Sequence, residues 1–341
     1  MRILIEITHP AHVHFFRNAI ALLQNKGHVV AVTARGKDVT LELLDNYNLS
    51  YSVLSKIGKG KFSLIGELIS RDFRLYRFCR RFKPDVLTGI SGVFAAHAGK
   101  LIGKPVVVWD DTEIATLAHK ITYPFVSAVY TPDCYMKDLG PKQHRYAGCH
   151  ELAYLHPNYF TPDKQLVRSF GVDPDQKYCI IRFVSWQAHH DVGQHGLQAN
   201  KRVRFVEQLA QHARILVTSE SPLPKELEKY RLSIPVHQIH HLLAFADLYI
   251  GEGATMASEA AILGVPSVYI NTLKAGTINN FIDYGLIRQT SDTGAALEMS
   301  VELLTEQDNK DKYISARDKF LSDSIDVTAF IVQTIENAGR S

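Results

Sequence analysis

Short runs of β-branched and other apolar residues alternate along the chain with longer segments whose apolar positions recur every three to four residues. That alternation predicts parallel strands joined by crossover helices, an α/β architecture. In the first half, Ile3 to Ile7 reads as a strand, Phe15 to Gln24 as a helix ended by Lys26 and Gly27, and His28 to Thr33 as a second strand. Asp85 to Thr88 and Val106 to Trp109 read as buried strands, each with a proline in the turn before it, and Val126 to Thr131 as the last of this set. Pro157, Pro162 and Pro174 mark His156 to Asp175 as a connection between domains. A second set follows at Tyr178 to Val184, Arg214 to Thr218, Val236 to Gln238, Leu248 to Ile250 and Ser267 to Ile270, and Ser300 to Gly339 reads as helical. The expectation is a Rossmann-like domain over 1–157, a second over 158–320, and a terminal helix in 321–341 that packs back on the first.

With 341 residues and ~150 per domain, each half can bury an ordinary core. A hydrophobic fraction of 46% with 21% charged residues excludes disorder and fibrous repeats, and a net charge of +3 makes no case for nucleic acid as a partner. No apolar run approaches the ~18 to 20 residues of a spanning helix, and Met1 leads directly into the first strand, so a cytoplasmic location is expected. Cys79, Cys134, Cys149 and Cys179 lie far apart without a C-x-x-C pair, which disfavours a zinc knuckle or a redox motif.

Open parallel sheets bind ligands beyond the carboxyl ends of their strands. One such end, Leu248 to Gly251, passes through Glu252, Gly253, Ala254 and Thr255 into an alanine-rich helix. Small residues there let phosphate oxygens reach the unpaired amides of the helix start, where the helix dipole favours negative charge. Glu259, one turn on and on the same helical face as Thr255, is placed to accept hydrogen bonds from a ribose diol. Together these describe a nucleoside diphosphate bound without a metal or other cofactor. The alternative is a tight turn followed by a solvated surface acid. Met256 stands where the third glycine of a dinucleotide fingerprint would be, which disfavours a dehydrogenase.

Two further loops carry titratable groups. His9, His12 and His14 follow the first strand, and a histidine can accept a proton from a sugar hydroxyl at neutral pH. Capping or filling of the loop is the structural alternative. Asp110, Asp111 and Glu113 follow the strand ending at Trp109; neighbouring carboxylates can supply a general acid or base, or Asp111 can cap a helix. His12 with His14 also has the H-x-H form of metal hydrolases, for which His189, His190, Asp191 and His195 would have to add ligands. His189 is a further candidate for donor or acceptor contact.

The run Ile239, Leu242 to Asp247, Gly253 to Glu259 and Gly264-Val265-Pro266 resembles the donor-binding half of GT-B glycosyltransferases, most of all the GlcNAc transferase of peptidoglycan synthesis. Lys83-Pro84-Asp85-Val86, Gly89, Ser91-Gly92 and Gly103-Lys104-Pro105 resemble the first half of the same enzymes in order and spacing. The UDP-GlcNAc 2-epimerases are similar too, since Thr8-His9-Pro10-Ala11 resembles the start of their chains. The resemblance implies two doubly wound domains facing across a cleft, the second holding a UDP-sugar: Glu259 on the ribose, Gly253, Ala254 and Thr255 on the diphosphate, the Ile239 backbone on the uracil edge and Ser185 on a second phosphate loop. It implies glycosyl transfer with His12 or Asp111 as base, 2-epimerisation as the rival, and a non-catalytic nucleotide-sugar-binding protein as the third reading. Neither the sugar, the acceptor nor the oligomeric state is given by these residues.

Between Lys56 and Lys83 stand nine basic residues against Glu67 and Asp72, interleaved with Phe62, Phe73, Tyr76, Phe78 and Phe82. A basic, aromatic helix of this kind suits the inner membrane face or an acidic, lipid-linked acceptor. An ordinary helix with its aromatics in the core is the alternative.

Overall fold

The computed structural model describes residues 1–36, 39–56, 61–184, 199–307 and 309–340. The chain divides into two compact units, Met1–Tyr154 with Ile325–Ser341, and Leu155–Ser324. The first contains β1 (Arg2–Ile7), α1 (Pro10–Asn25), β2 (Val29–Gly36), α2 (Thr40–Asn46), β3 (Tyr51–Lys56), α3 (Lys61–Phe82), β4 (Val86–Ile90), α4 (Val93–Ile102), β5 (Val106–Trp109), α5 (Thr116–Thr122), β6 (Ala128–Pro132), β7 (Gln143–Tyr146) and the start of α6 (Leu152–Leu155). Its sheet is parallel throughout, in the order β3-β2-β1-β4-β5-β6-β7. The second unit contains α7 (Lys164–Ser169), β8 (Tyr178–Phe183), α8 (Ala199–Leu209), β9 (Arg214–Ser219), α9 (Ile239–Leu243), β10 (Leu248–Gly251), α10 (Ala254–Ile262), β11 (Ser267–Ile270), α11 (Gly276–Asp283), β12 (Ile287–Thr290), α12 (Thr293–Thr305) and α13 (Asn309–Ser322). Its five parallel strands run β12-β11-β10-β8-β9. The last helix, α14 (Val327–Arg340), returns to the first unit. There Glu336 pairs with Lys26 at 3.0 Å and His28 at 2.9 Å, and the Thr328 hydroxyl donates to the Ala153 carbonyl at 2.6 Å.

The central strands are apolar because both faces are covered: β4 and β5 are buried at every position. β3, β7 and β12 fall outside the expected set, and each is a sheet edge; the burial of β7 and β12 is mixed, so neither carries a continuous apolar run. Val236–Gln238 is a short 3-10 turn, not a strand. Pro235, which precedes it, fixes its own φ and lacks an N–H, and the chain runs directly on into α9. The unit boundaries fall at Leu155 and Ser324 rather than at 158 and 320, and the turn-rich segment expected as a connection belongs to the second unit, where α7 buries Val167. The helical stretch expected over Ser300 to Gly339 is broken into parts of α12, α13 and α14.

Two polar clusters tie the first unit together on its α3 and α4 side. Glu6, on β1, accepts from Arg71 Nη2 on α3 and from the Ala95 amide in the first turn of α4, both at 3.0 Å. Arg71 is therefore no part of a basic surface: it is fully buried, stacked 4.3 Å from the Phe94 ring. Lys56, Lys59 and Lys61 lie outside the residues whose side chains are described.

The second cluster centres on His97 of α4. Its Nδ1 meets the Asp72 carboxylate of α3 at 3.0 Å and its Nε2 meets the Ile121 carbonyl of α5 at 2.9 Å. Both acceptors lack protons, so both ring nitrogens carry one and the ring is an imidazolium. The Asp72 hydrogen bond, opposed by burial and helped by the Ile121 carbonyl, raises the His97 pKa. A raised folded pKa gives stability that is whole below the unfolded histidine value and declines as pH rises through the folded one. His97→Gln is expected to lose about 1.5–3 kcal/mol at acid-to-neutral pH. It should also flatten the alkaline decline seen in urea titrations of the wild type; an equal decline in both proteins would refute the assignment.

Candidate functional site

Each sheet reverses direction at one point, between β1 and β4 in the first unit and between β8 and β10 in the second, and the loops leaving these strands form the ligand-binding edge of such folds. In the second unit the reversal is held by Glu252, which is buried. Its carboxylate accepts from the Val184 amide at 2.9 Å and meets Arg202 at 3.5 Å, while its carbonyl accepts from Asn271 Nδ2 at 3.0 Å. The ends of β8, β10 and β11 are thus joined through one residue. Gly251 is required here because a Cβ would fall on the buried Tyr249 hydroxyl.

α10 opens from Gly253, whose backbone is extended, with no side chain capping the helix. The amides of the first turn have no partner within the helix, and Gly253 and Ala254 are half-buried while Thr255 is exposed. One turn on, Glu259 is buried, not a solvated surface acid: its Oε1 lies 3.0 Å from His240 Nε2. His240 is the second residue of α9, so the pair brings the Ile239 backbone and Glu259 onto facing elements of one corner. Ile239, Gly253, Ala254, Thr255 and Glu259 are therefore gathered within this unit. Ser185, His189, His190, Asp191 and His195 lie outside the described residues.

The reversal in the first unit presents the loop from Thr8 to Pro10. His9 is the N-cap of α1, its ring accepting from the Ala11 amide at 3.3 Å. His12 is buried at 8% exposure, its Nδ1 facing the Thr8 amide and hydroxyl, both at 3.4 Å. His14 points elsewhere: its Nδ1 meets the Tyr47 hydroxyl at 3.3 Å and its ring packs on Tyr154.

Beyond β5, residues Asp110 to Ala115 are not helical and α5 has no side-chain cap, so Asp111 is not a capping residue. Asp110 is fully buried, taking the Tyr123 hydroxyl at 2.7 Å and the Thr112 amide at 2.8 Å, with His119 at 3.1 Å. Glu113 accepts from the Met136 amide at 3.3 Å. Asp111, 30% exposed, is the open member: His150 Nδ1 lies 3.0 Å from its Oδ2, and the Thr112 hydroxyl donates to Oδ1 at 3.0 Å. Burial would raise its pKa, but His150, the Thr112 hydrogen bond and the proximity of His12 outweigh that and hold the carboxyl at about 2. No group of three or more His, Cys, Asp or Glu is placed to hold a metal among the described residues.

His240, Glu252 and His150 were not singled out in the sequence. Each acts through a partner distant along the chain, and none stands in a spacing that marks it.

Among solved structures, the chain is similar to UDP-GlcNAc 2-epimerase from Neisseria meningitidis bound to UDP-GlcNAc, with a TM-score of 0.73, 13% identity and coverage of 99% of this chain and 100% of that one. It is also similar to MurG of Acinetobacter baumannii, with a TM-score of 0.61, 16% identity and coverage of 99% and 100%. At such identities the likeness establishes the fold, which is GT-B. Among curated proteins, the uncharacterized protein MJ0665 of Methanocaldococcus jannaschii is 23% identical over 281 residues, 77% of this chain and 80% of its own length. The model of DUF354, described as a protein of unknown function, matches residues 1–337, and the chain belongs to that family.

Proposed function

We propose that the protein is a glycosyltransferase that uses a UDP-sugar. The observation that carries this reading is the uncapped start of α10 one turn from a buried carboxylate: Gly253, Ala254 and Thr255 present amides to a diphosphate while Glu259 receives the ribose hydroxyls and the Ile239 backbone the uracil edge. An acceptor hydroxyl loses its proton to His12 and attacks the anomeric carbon. The bond from that carbon to the diphosphate oxygen breaks, and UDP leaves with its new charge on the helix-start amides, so the reading calls for no metal. Asp111, with its carboxyl at about 2, is poorly matched to remove a proton at neutral pH, which favours His12 as the base.

The second reading is UDP-GlcNAc 2-epimerisation, favoured by the TM-score of 0.73 to such an enzyme. Incubation with UDP-GlcNAc alone separates the two: a transferase leaves the sugar intact until an acceptor is added, whereas accumulation of the manno epimer would overturn the first reading. Failure of UDP to bind in calorimetry would remove both.

The first unit also offers the surface on which a lipid-linked acceptor would be met. On α3, Ile69 and Phe73 are 64% and 59% exposed beside Arg74, Arg77 and Arg80, and Leu117 of α5 is 72% exposed. Such a face suits peripheral contact with an anionic bilayer. No described helix is long and apolar enough to cross one. Phe73→Glu is expected to cut co-sedimentation with vesicles of mixed neutral and anionic phospholipid by about tenfold, from the lost apolar burial and the added negative charge. Equal recovery of wild type and variant would argue against this contact.

A further inference from the structure

We infer that His150 is a positioning residue that fixes the Asp111 carboxylate beside His12, so that Asp111 serves as a permanent counter-charge and the imidazole of His12 carries the proton. The inference deepens the proposed function and rests on its reading of the first unit as the place of proton transfer.

Asp111, from the loop after β5, and His150, from the loop after β7, are in direct contact, and the His150 ring packs on Phe15 of α1, three residues after His12 on the same helix. His150 is itself held: its ring packs 4.6 Å from Phe15, and its carbonyl accepts from the Ala153 amide at 3.0 Å in the turn that begins α6. With His150 Nδ1 on Oδ2 and the Thr112 hydroxyl on Oδ1, each carboxylate oxygen has a donor, and the plane of the carboxylate is set. Removing either donor leaves a rotamer free to turn, so the arrangement orients Asp111 as well as charging it.

The charges agree with the geometry. Around His150 stand Asp111, Glu151 and Asp110; burial disfavours its imidazolium, but these carboxylates outweigh it and the pKa is raised. His150 and Thr112 contact Asp111 directly, and His12 also favours its charged form. His150 Nε2 is buried and has no hydrogen-bond partner, so the ring's polar contact within the protein is spent on Asp111. An imidazole that gains a proton during reaction is stabilised by a fixed neighbouring carboxylate, and loses that support if the carboxylate is itself protonated.

The test is made on the full-length protein by heteronuclear NMR. In the wild type, the His150 ring is expected to be doubly protonated at neutral pH and the Asp111 carboxyl to stay ionised far into acid. In His150→Ala and in the milder His150→Gln, which keeps an N–H donor but not the charge, the Asp111 titration is expected to move up by about one pH unit or more, a tenfold change in proton affinity. An unmoved Asp111 titration, or a neutral His150 ring in the wild type, would overturn the inference. The wild-type measurement stands even where His150→Ala does not fold. Absence of UDP binding would remove the nucleotide reading while leaving this titration to decide the role of His150.

Discussion

Replacing Glu6 by glutamine is expected to lower the free energy of unfolding by about 3–5 kcal/mol, because it leaves a buried guanidinium without its counter-charge. Arg71 has no exposed surface and is ion-paired with the Glu6 carboxylate at 3.0 Å. Arginine cannot escape by losing its proton, whereas a carboxylic acid can. The converse variant, Arg71→Met, should therefore cost less. Burial already raises the Glu6 pKa against the opposing pull of Arg71 and the Ala95 amide, and without Arg71 the carboxyl would take up a proton and stay neutral. A carboxyl whose folded pKa lies above its unfolded value loses stability as pH rises between the two. Arg71→Met should accordingly weaken from about pH 5 upward, whereas Glu6→Gln lacks the titrating carboxyl and its own stability should carry no decline from this site. Urea unfolding at acid and neutral pH checks both. Equal midpoints for the two variants at every pH would show that the pair contributes no such asymmetry.

The parts of this fold that could be read from the sequence are those where one physical signal dominates. Val106 to Trp109 is a continuous apolar run and Ser267 to Ile270 a fully buried strand of one serine and three apolar residues, and the observed elements coincide with both. The edge strands β7 and β12 were illegible because they have exposed or half-exposed positions and no clean alternation, whereas β9, also an edge, keeps three consecutive buried apolar residues and was legible. Val236 to Gln238 misleads because three residues give too little periodicity to separate a strand from a 3-10 turn. Among site residues, the small-residue turn at Gly253 could be recognised locally, since a helix start is a property of adjacent residues. The fate of Glu259 could not, because its burial depends on His240, which only the approach of α9 to α10 brings near. Arg71 shows the same limit from the other side. Charge alone put it on a surface, and a single carboxylate on β1 puts it in the core.

Glu259→Ala is expected to weaken UDP binding by roughly tenfold to 150-fold, since a hydrogen bond to a charged group contributes about 1.5–3 kcal/mol and about 1.4 kcal/mol corresponds to a factor of ten. Loss of a buried, ion-paired carboxylate also perturbs the fold, so a second variant is needed to separate binding from stability. Gly253 provides it. Its φ of −100° suits any residue, and an added Cβ would stand 3.5 Å from Val184 Cγ1, an ordinary contact. Gly253→Val should thus keep the extended backbone of this turn, at the cost of a less favoured N-cap, yet place branched methyl groups where the diphosphate must approach the amides of Ala254 and Thr255. Calorimetric titration with UDP is expected to show weakened binding in both variants, and thermal unfolding to show the larger fall in midpoint in Glu259→Ala. If Gly253→Val binds UDP as tightly as the wild type, the diphosphate does not rest on this helix start, and the glycosyltransferase and epimerase readings lose their common ground.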